Sequence, residues 1–210
     1  MMRESSMAVS TFTDLLEEDF RWPKIGDKLF SHDQPAYGAF LAHHPGERLY
    51  HLTEGYKLAA DLLVDQAEAE AWRRQKLVYP IVFCYRHFLE LTLKAMLEQY
   101  GSMGNVTANW SHHRLEDLWR DFRTLLRNLG SDHPEEHGTD AVEQCLAEFA
   151  KIDPSSQTFR YPSIRRGQPF DIDFDMIDLL QLRDTVQAID NYFMGCDGFL
   201  DSIKDAQPGW

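Results

Sequence analysis

The stretch FCYRHFLELTLKAML, Phe83 to Leu97, decides the fold. Its apolar density is that of a buried helix, yet Arg86, Glu90 and Lys94 recur at every fourth position. At about 100° per residue, Tyr79, Phe83, Leu93 and Leu97 project into the same sector as the charges, and Cys84, Phe88, Leu91 and Ala95 take the other side. A helix that is apolar all round belongs inside a bundle, so the three charges read as embedded. Three arrangements fit them: a structural polar seam, a groove facing a ligand, or an exposed i,i+4 ladder. Exposed pairs contribute about 0.2–1 kcal/mol, whereas deleting one partner of a buried pair costs about 3–5 kcal/mol, so mutation separates these cases.

On either side of this helix the pattern stays helical. RLYHLTEGYKLAADLLVDQAEAEAWRRQK, from Arg48 to about Lys76, repeats Leu49, Leu52, Tyr56, Ala59, Leu63 and Ala67 at three- and four-residue steps. The central helix is expected from Leu77 to Tyr100, closed by Gly101, with Pro80 in its first turn where a missing N–H is harmless. A third helix is expected from His113 to Leu129, with Leu115, Leu118, Trp119, Phe122 and Leu126 inward. Ala141 to Ile152 gives a short fourth, with Val142, Cys145, Leu146 and Phe149 inward. The last helix runs from about Met176 to Lys204 with Ile177, Leu180, Leu182, Val186, Ile189, Phe193 and Leu200 as core candidates. Before it, FRYPS and PFDIDFD flank the turn-like RRGQP, and DIDFD alternates as a half-exposed strand does. The expectation is an all-α fold: a bundle of four to five helices with a small β-hairpin before the last one. Residues 1–44 read as an extension, with short helices at Thr13 to Phe20 and Tyr37 to His44, and residues 45–210 as the helical domain.

Composition narrows the function. The chain has 210 residues, 43% of them hydrophobic, and no run of about 18 uncharged apolar residues that a membrane span needs. MMRESSMAVSTFTDLLEEDF has no apolar core before its acidic run, so it does not read as a secretory signal, and a cytoplasmic location is expected. Cys84, Cys145 and Cys196 are far apart without a CxxC pair, which argues against a disulfide framework or a structural zinc site. A formal charge of -13 argues against nonspecific binding of duplex DNA, which calls for a broad basic face, while leaving room for a small basic pocket.

Four further motifs carry candidate chemistry. SHHRLEDLW opens the third helix; Ser111 can cap it, and His112 and His113 either simply occupy this helix start or share a polar site with Glu90 or Lys94. In FRYP, Phe159 to Pro162, Arg160 stands between aromatics next to Tyr161, and its planar guanidinium suits a phosphate or carboxylate held bidentately, or a structural acid such as Glu90. HPEEH, His133 to His137, fits an H-x-x-E-H zinc pattern, but Gly138 follows directly. DIDFDMID lacks the glycine and final glutamate of a calcium loop. No metal and no cofactor are expected.

The order of RHFLELTLKAML, HHRLEDLW and FRYP resembles the HEPN family of small helical proteins, over roughly Glu47 to Lys204. The resemblance implies a dimerising bundle of four or five helices with roles in toxin–antitoxin and antiviral defence systems. It implies either a metal-independent ribonuclease or a catalytically silent partner of another protein of the same operon, such as a nucleotidyltransferase. Ribonuclease members use an R-x4-6-H motif in which histidine moves the proton and arginine stabilises phosphate charge. The match here is Arg127 to His133, with the histidine in an acidic loop beside Glu135 and Glu136. Two readings follow. In the first, Arg86, Lys94 and Arg160 hold the phosphate of an RNA or nucleotide, Glu90 orients them, Tyr161 lines the groove and His113 transfers protons. In the second, Arg86, Glu90 and Arg160 form a buried network that fixes a non-catalytic interaction module.

Overall fold

The computed structural model describes residues 21–30, 37–130, 137–164 and 167–206. The chain divides into two compact units, Met1–Leu41 and Ala42–Trp210. In the first, Asp27 accepts hydrogen bonds from Arg21 Nη2 (3.0 Å) and Lys24 N (2.9 Å), closing a turn behind Trp22 and Pro23. The helix expected at Thr13 to Phe20 lies outside the described residues, and no helix forms over Tyr37 to His44.

The second unit holds five α-helices among the described residues: α1 (Pro45–Ala69), α2 (Ala71–Tyr100), α3 (Leu115–Asn128), α4 (His137–Ile152) and α5 (Leu179–Ala206). The all-α expectation is met, and none of the described helices is long and apolar enough to cross a membrane. The first boundary differs from the sequence reading. Glu70 alone separates α1 from α2, in an extended conformation (φ -137°, ψ 108°), and the chain reverses there. Side chains satisfy the junction: Arg74 Nε donates to the Ala67 carbonyl (3.0 Å), Trp72 Nε1 to Glu70 (2.6 Å) and Arg73 Nη2 pairs with Glu70 (2.7 Å). Pro80 therefore sits within α2, not in its first turn. It deprives the Lys76 carbonyl of its usual i→i−4 donor.

α1 and α2 pack as an antiparallel pair, with Tyr56 edge-on to Phe83 and His87 and Tyr85 donating to Asp61 Oδ1 at 2.6 Å. The buried line of α1 is Thr53, Ala60, Val64 and Ala67, and Leu52 turns outward. α2 is the axis of the bundle, packed against α1, α3 and α5. It is buried on all sides from Ile81 to Leu97 at positions including Tyr85, Phe88, Leu89 and Leu93, as its apolar density requires. Tyr100 closes it, with its hydroxyl 2.7 Å from Asp197 Oδ1 of α5.

A single 3-10 turn, Gly101–Gly104, returns the chain toward α3. At Gly104 an added Cβ would lie 2.6 Å from Leu125 Cδ1 and 3.3 Å from its Cα, so a larger residue there would have to push the buried Leu125 aside. α3 buries Leu115, Leu118, Trp119, Phe122, Leu125 and Leu126 in one stripe, with Glu116 and Asp117 at its N-terminus and Arg127 in its last turn, the charges its dipole favours. The stripe meets Phe193 of α5, whose ring lies 5.8 Å from that of Phe122.

The hairpin expected before α5 does not form: among the described residues there is no strand. Ile164 N bonds the Gln168 carbonyl (2.8 Å) and Gly167 N the Ile164 carbonyl (3.2 Å), which close one turn with Gly167 at φ +77° and go no further. Pro162 and Pro169 flank that turn without N–H groups, removing donors that a ladder needs.

Candidate functional site

The i,i+4 spacing on α2 places Arg86, Glu90 and Lys94 one above another. Arg86 Nη1 meets Glu90 Oε2 at 3.2 Å and Lys94 Nζ meets Glu90 Oε1 at 2.8 Å. The residues are sealed: Arg86 is 0%, Glu90 1% and Lys94 2% exposed. Two partners come from distant parts of the chain. The loop ahead of α3 brings His113, whose Nδ1 lies 2.7 Å from Glu90 Oε1 and whose carbonyl accepts from Arg86 Nη2 at 2.6 Å. The end of α4 brings Asp153, whose carbonyl accepts from Arg86 Nε at 3.2 Å and whose Oδ2 lies 3.4 Å from the same nitrogen.

Asp153 is fixed by local chemistry. Its Oδ1 accepts from the backbone N–H groups of Gln157 (2.6 Å) and Thr158 (3.1 Å), a side-chain-closed turn that aspartate favours. This turn carries Ser156 through the left-handed region (φ 59°) and tucks Phe159 into the core. Arg160 follows, on the surface, with Nε donating to the Ser156 carbonyl and its guanidinium over the rings of Phe83 (5.5 Å) and Tyr161 (5.6 Å). Phe83 in turn stacks on His87.

Burial alone would push the Glu90 carboxyl up. The contacts of His87, Lys94 and His113 outweigh it and hold Glu90 far below the usual carboxylate range. His87 Nδ1 stands 3.9 Å from Oε2, too far for a hydrogen bond, so the donors to Glu90 are Lys94, His113 and Arg86. Burial lowers Arg86 from its ordinary value, against the opposing pull of Asp153 and Glu90. The Lys94 ammonium is covered by Trp110, whose ring centroid is 5.4 Å away and whose Nε1 is anchored on Glu98 Oε2 (3.1 Å).

No protein-family model matches this chain, and neither a curated protein nor a solved structure does.

Of the residues expected from sequence, Arg86, Glu90, Lys94 and His113 thus form one cluster. Arg160 stands beside it and pairs with backbone and rings instead of with Glu90, and Tyr161 is exposed next to it. His113 precedes α3 instead of opening it, and Ser111 caps nothing there: its hydroxyl bonds Asn109 (2.6 Å). Arg127 lines a different hollow on α3, with Arg123 and Glu143, and His133 lies outside the described residues. Most of HPEEH lies outside them too; no group of three or more metal-ligating side chains occurs among the described residues.

Asp153 and His87 were not singled out from sequence. The signal for Asp153 is the DPSS turn, two residues ahead of FRYP; His87 follows Arg86 without a pattern of its own.

Chemically the cluster has two parts. Its interior is a closed balance of two cations, Arg86 and Lys94, and two carboxylates, Glu90 and Asp153. Its rim is one imidazole, with the His113 side chain 56% exposed. Against an ionised Glu90, Nδ1 carries the hydrogen, which leaves Nε2 as the acceptor.

Proposed function

We propose that this chain is a HEPN-like helical interaction module of a bacterial defence or toxin–antitoxin system, catalytically silent, which dimerises or docks a partner protein. One observation carries the reading: Arg86 is fully buried and each of its three guanidinium nitrogens is engaged by Glu90, His113 or Asp153. An arginine that reads phosphate needs its fork open to the ligand. Here the fork is spent on holding α2, the α3 approach and the end of α4 together. A buried ion cluster adds little net stability over an apolar core of the same shape, while removing one of its partners is costly.

A second reading is favoured by a separate observation. His113 presents an exposed ring whose tautomer is set by a buried carboxylate, the arrangement that general acid/base catalysis uses. In it, Arg160 and Tyr161 flank an RNA or nucleotide and His113 moves the proton.

Purified protein incubated with RNA in EDTA, wild type against His113→Ala and Arg127→Ala, decides between them. Intact RNA in every lane is expected. Cleavage by wild type that His113→Ala abolishes overturns the silent reading in favour of the second; cleavage lost only in Arg127→Ala overturns both. Arg86→Ala is expected to lose about 3–5 kcal/mol in urea unfolding, because it leaves Asp153 without a cation in the core and takes one donor from Glu90; unchanged stability would remove the structural role of the cluster.

A further inference from the structure

α4 and α5 stand apart at the backbone, and a groove lies between them. α4 is held to the bundle through α3, and α5 through α2 and α1, while α4 and α5 themselves make few close backbone approaches. Two hollows lie between them, of ≈ 300 and ≈ 720 Å³, and their walls share Cys145, Gln181, Thr185 and Ile189, so they adjoin along one α4–α5 seam. Thr139 Oγ1 and Tyr192 OH meet at 3.0 Å across one end. At the other stand Phe174 and Met176. From Gln181 to Tyr192, α5 advances about 16 Å, the length of about three helical turns.

The walls are graded. The larger hollow is lined by small residues such as Ala141 and Ala188, the smaller by Phe149, Phe159 and Val82. The lining charge is acidic: Glu148, Asp178 and Asp184 line the groove and none of its described lining residues is Lys or Arg, with Arg183 Nε of α5 3.8 Å from Asp184 Oδ1. Lys151, further along α4, is engaged by Asp173 at 2.9 Å.

We propose that this groove docks an amphipathic helix of a partner protein, with an apolar face edged by basic residues. The proposal rests on the interaction-module reading and names the partner chemistry for it. An apolar face at i, i+3, i+4 and i+7 follows the groove between two helices, as in helix-in-groove recognition. Basic edges meet the acidic rim, and an acidic helix of the same pattern is rejected by like charge.

The test uses the full chain and three fluorescein-labelled helical peptides of about 14 residues, about four turns. One carries Leu and Lys in the amphipathic pattern, one Ala and Lys at the same charge, and one Leu and Glu. Fluorescence anisotropy is expected to show the Leu–Lys peptide bound at least about tenfold tighter than either control, about 1.4 kcal/mol. The peptide is expected to protect Cys145 from alkylation by N-ethylmaleimide, read by mass spectrometry. Ala188→Trp, which fills the groove from an exposed position, and Glu148→Lys with Asp184→Lys should each weaken binding about tenfold while leaving the circular dichroism spectrum unchanged. Equal binding of the Leu–Lys and Ala–Lys peptides means attraction to the acidic surface alone and overturns the proposal. So does binding that leaves Cys145 unprotected and ignores Ala188→Trp, or no binding at all. None of these outcomes touches the silent-module reading, which stands or falls on RNA cleavage.

Discussion

Glu90 remains ionised where most buried carboxylates would take up a proton, and that ties stability to pH. Its folded-state pKa is depressed, so its contribution is fully present above the unfolded-state value of about 4.5 and is lost as pH falls toward the depressed native value. The stability gap between wild type and Glu90→Gln, followed by urea unfolding, is therefore expected to be constant from neutral pH down to about 4.5 and to narrow below it. A gap that widens on acidification would mean that Glu90 is protonated in the native protein. At this scale the sequence disclosed the members of the cluster that share a helix face. Arg86, Glu90 and Lys94 are legible because their spacing is the helical repeat, and His113 because it stands just ahead of a helix. Asp153 was hidden, since its contact with Arg86 spans 67 residues and no local pattern encodes it.

Among the elements, α3 is the one whose stripe the sequence draws most closely: the five positions expected inward are all buried, and Leu125 joins them. Phe122, fully buried against Trp119 and Phe193, is its centre. Phe122→Ala should cost about 3–5 kcal/mol, measured by urea unfolding, through lost burial plus the cavity left behind. A cost under about 1 kcal/mol would mean that α3 is not anchored there. The α1–α2 boundary was illegible for the opposite reason. EAEAWRRQK holds only helix-tolerant residues, with no glycine or proline to mark the break, so the periodic pattern runs through Glu70 and makes Pro80 look like a helix start. At the missing hairpin, the alternation of DIDFD was real, but alternation needs a partner strand, and the two prolines around Gly167 deny it one.

For the molecule as a whole, helical periodicity was enough to give the all-α class, because each helix buries one face against another. The groove between α4 and α5 could not be read the same way: it exists because two helices are held apart by what the others do. The Glu70 junction has a further consequence, in time. Joining the 25-residue α1 to the 30-residue α2 through one residue makes their extensive interface local in sequence, so almost no loop entropy is spent in closing it. Contacts local in sequence form early, whereas Arg86 and Asp153 must wait for α4 to arrive. Conservative truncations at Val64 and Tyr85 are accordingly expected to slow refolding, with φ-values above about 0.5, and Asp153→Asn to act mainly on unfolding. Stopped-flow chevrons with the reverse ranking would place nucleation elsewhere. In the expected order, the α1–α2 hairpin is the template, and the buried charges close as a latch after the chain has chosen its shape.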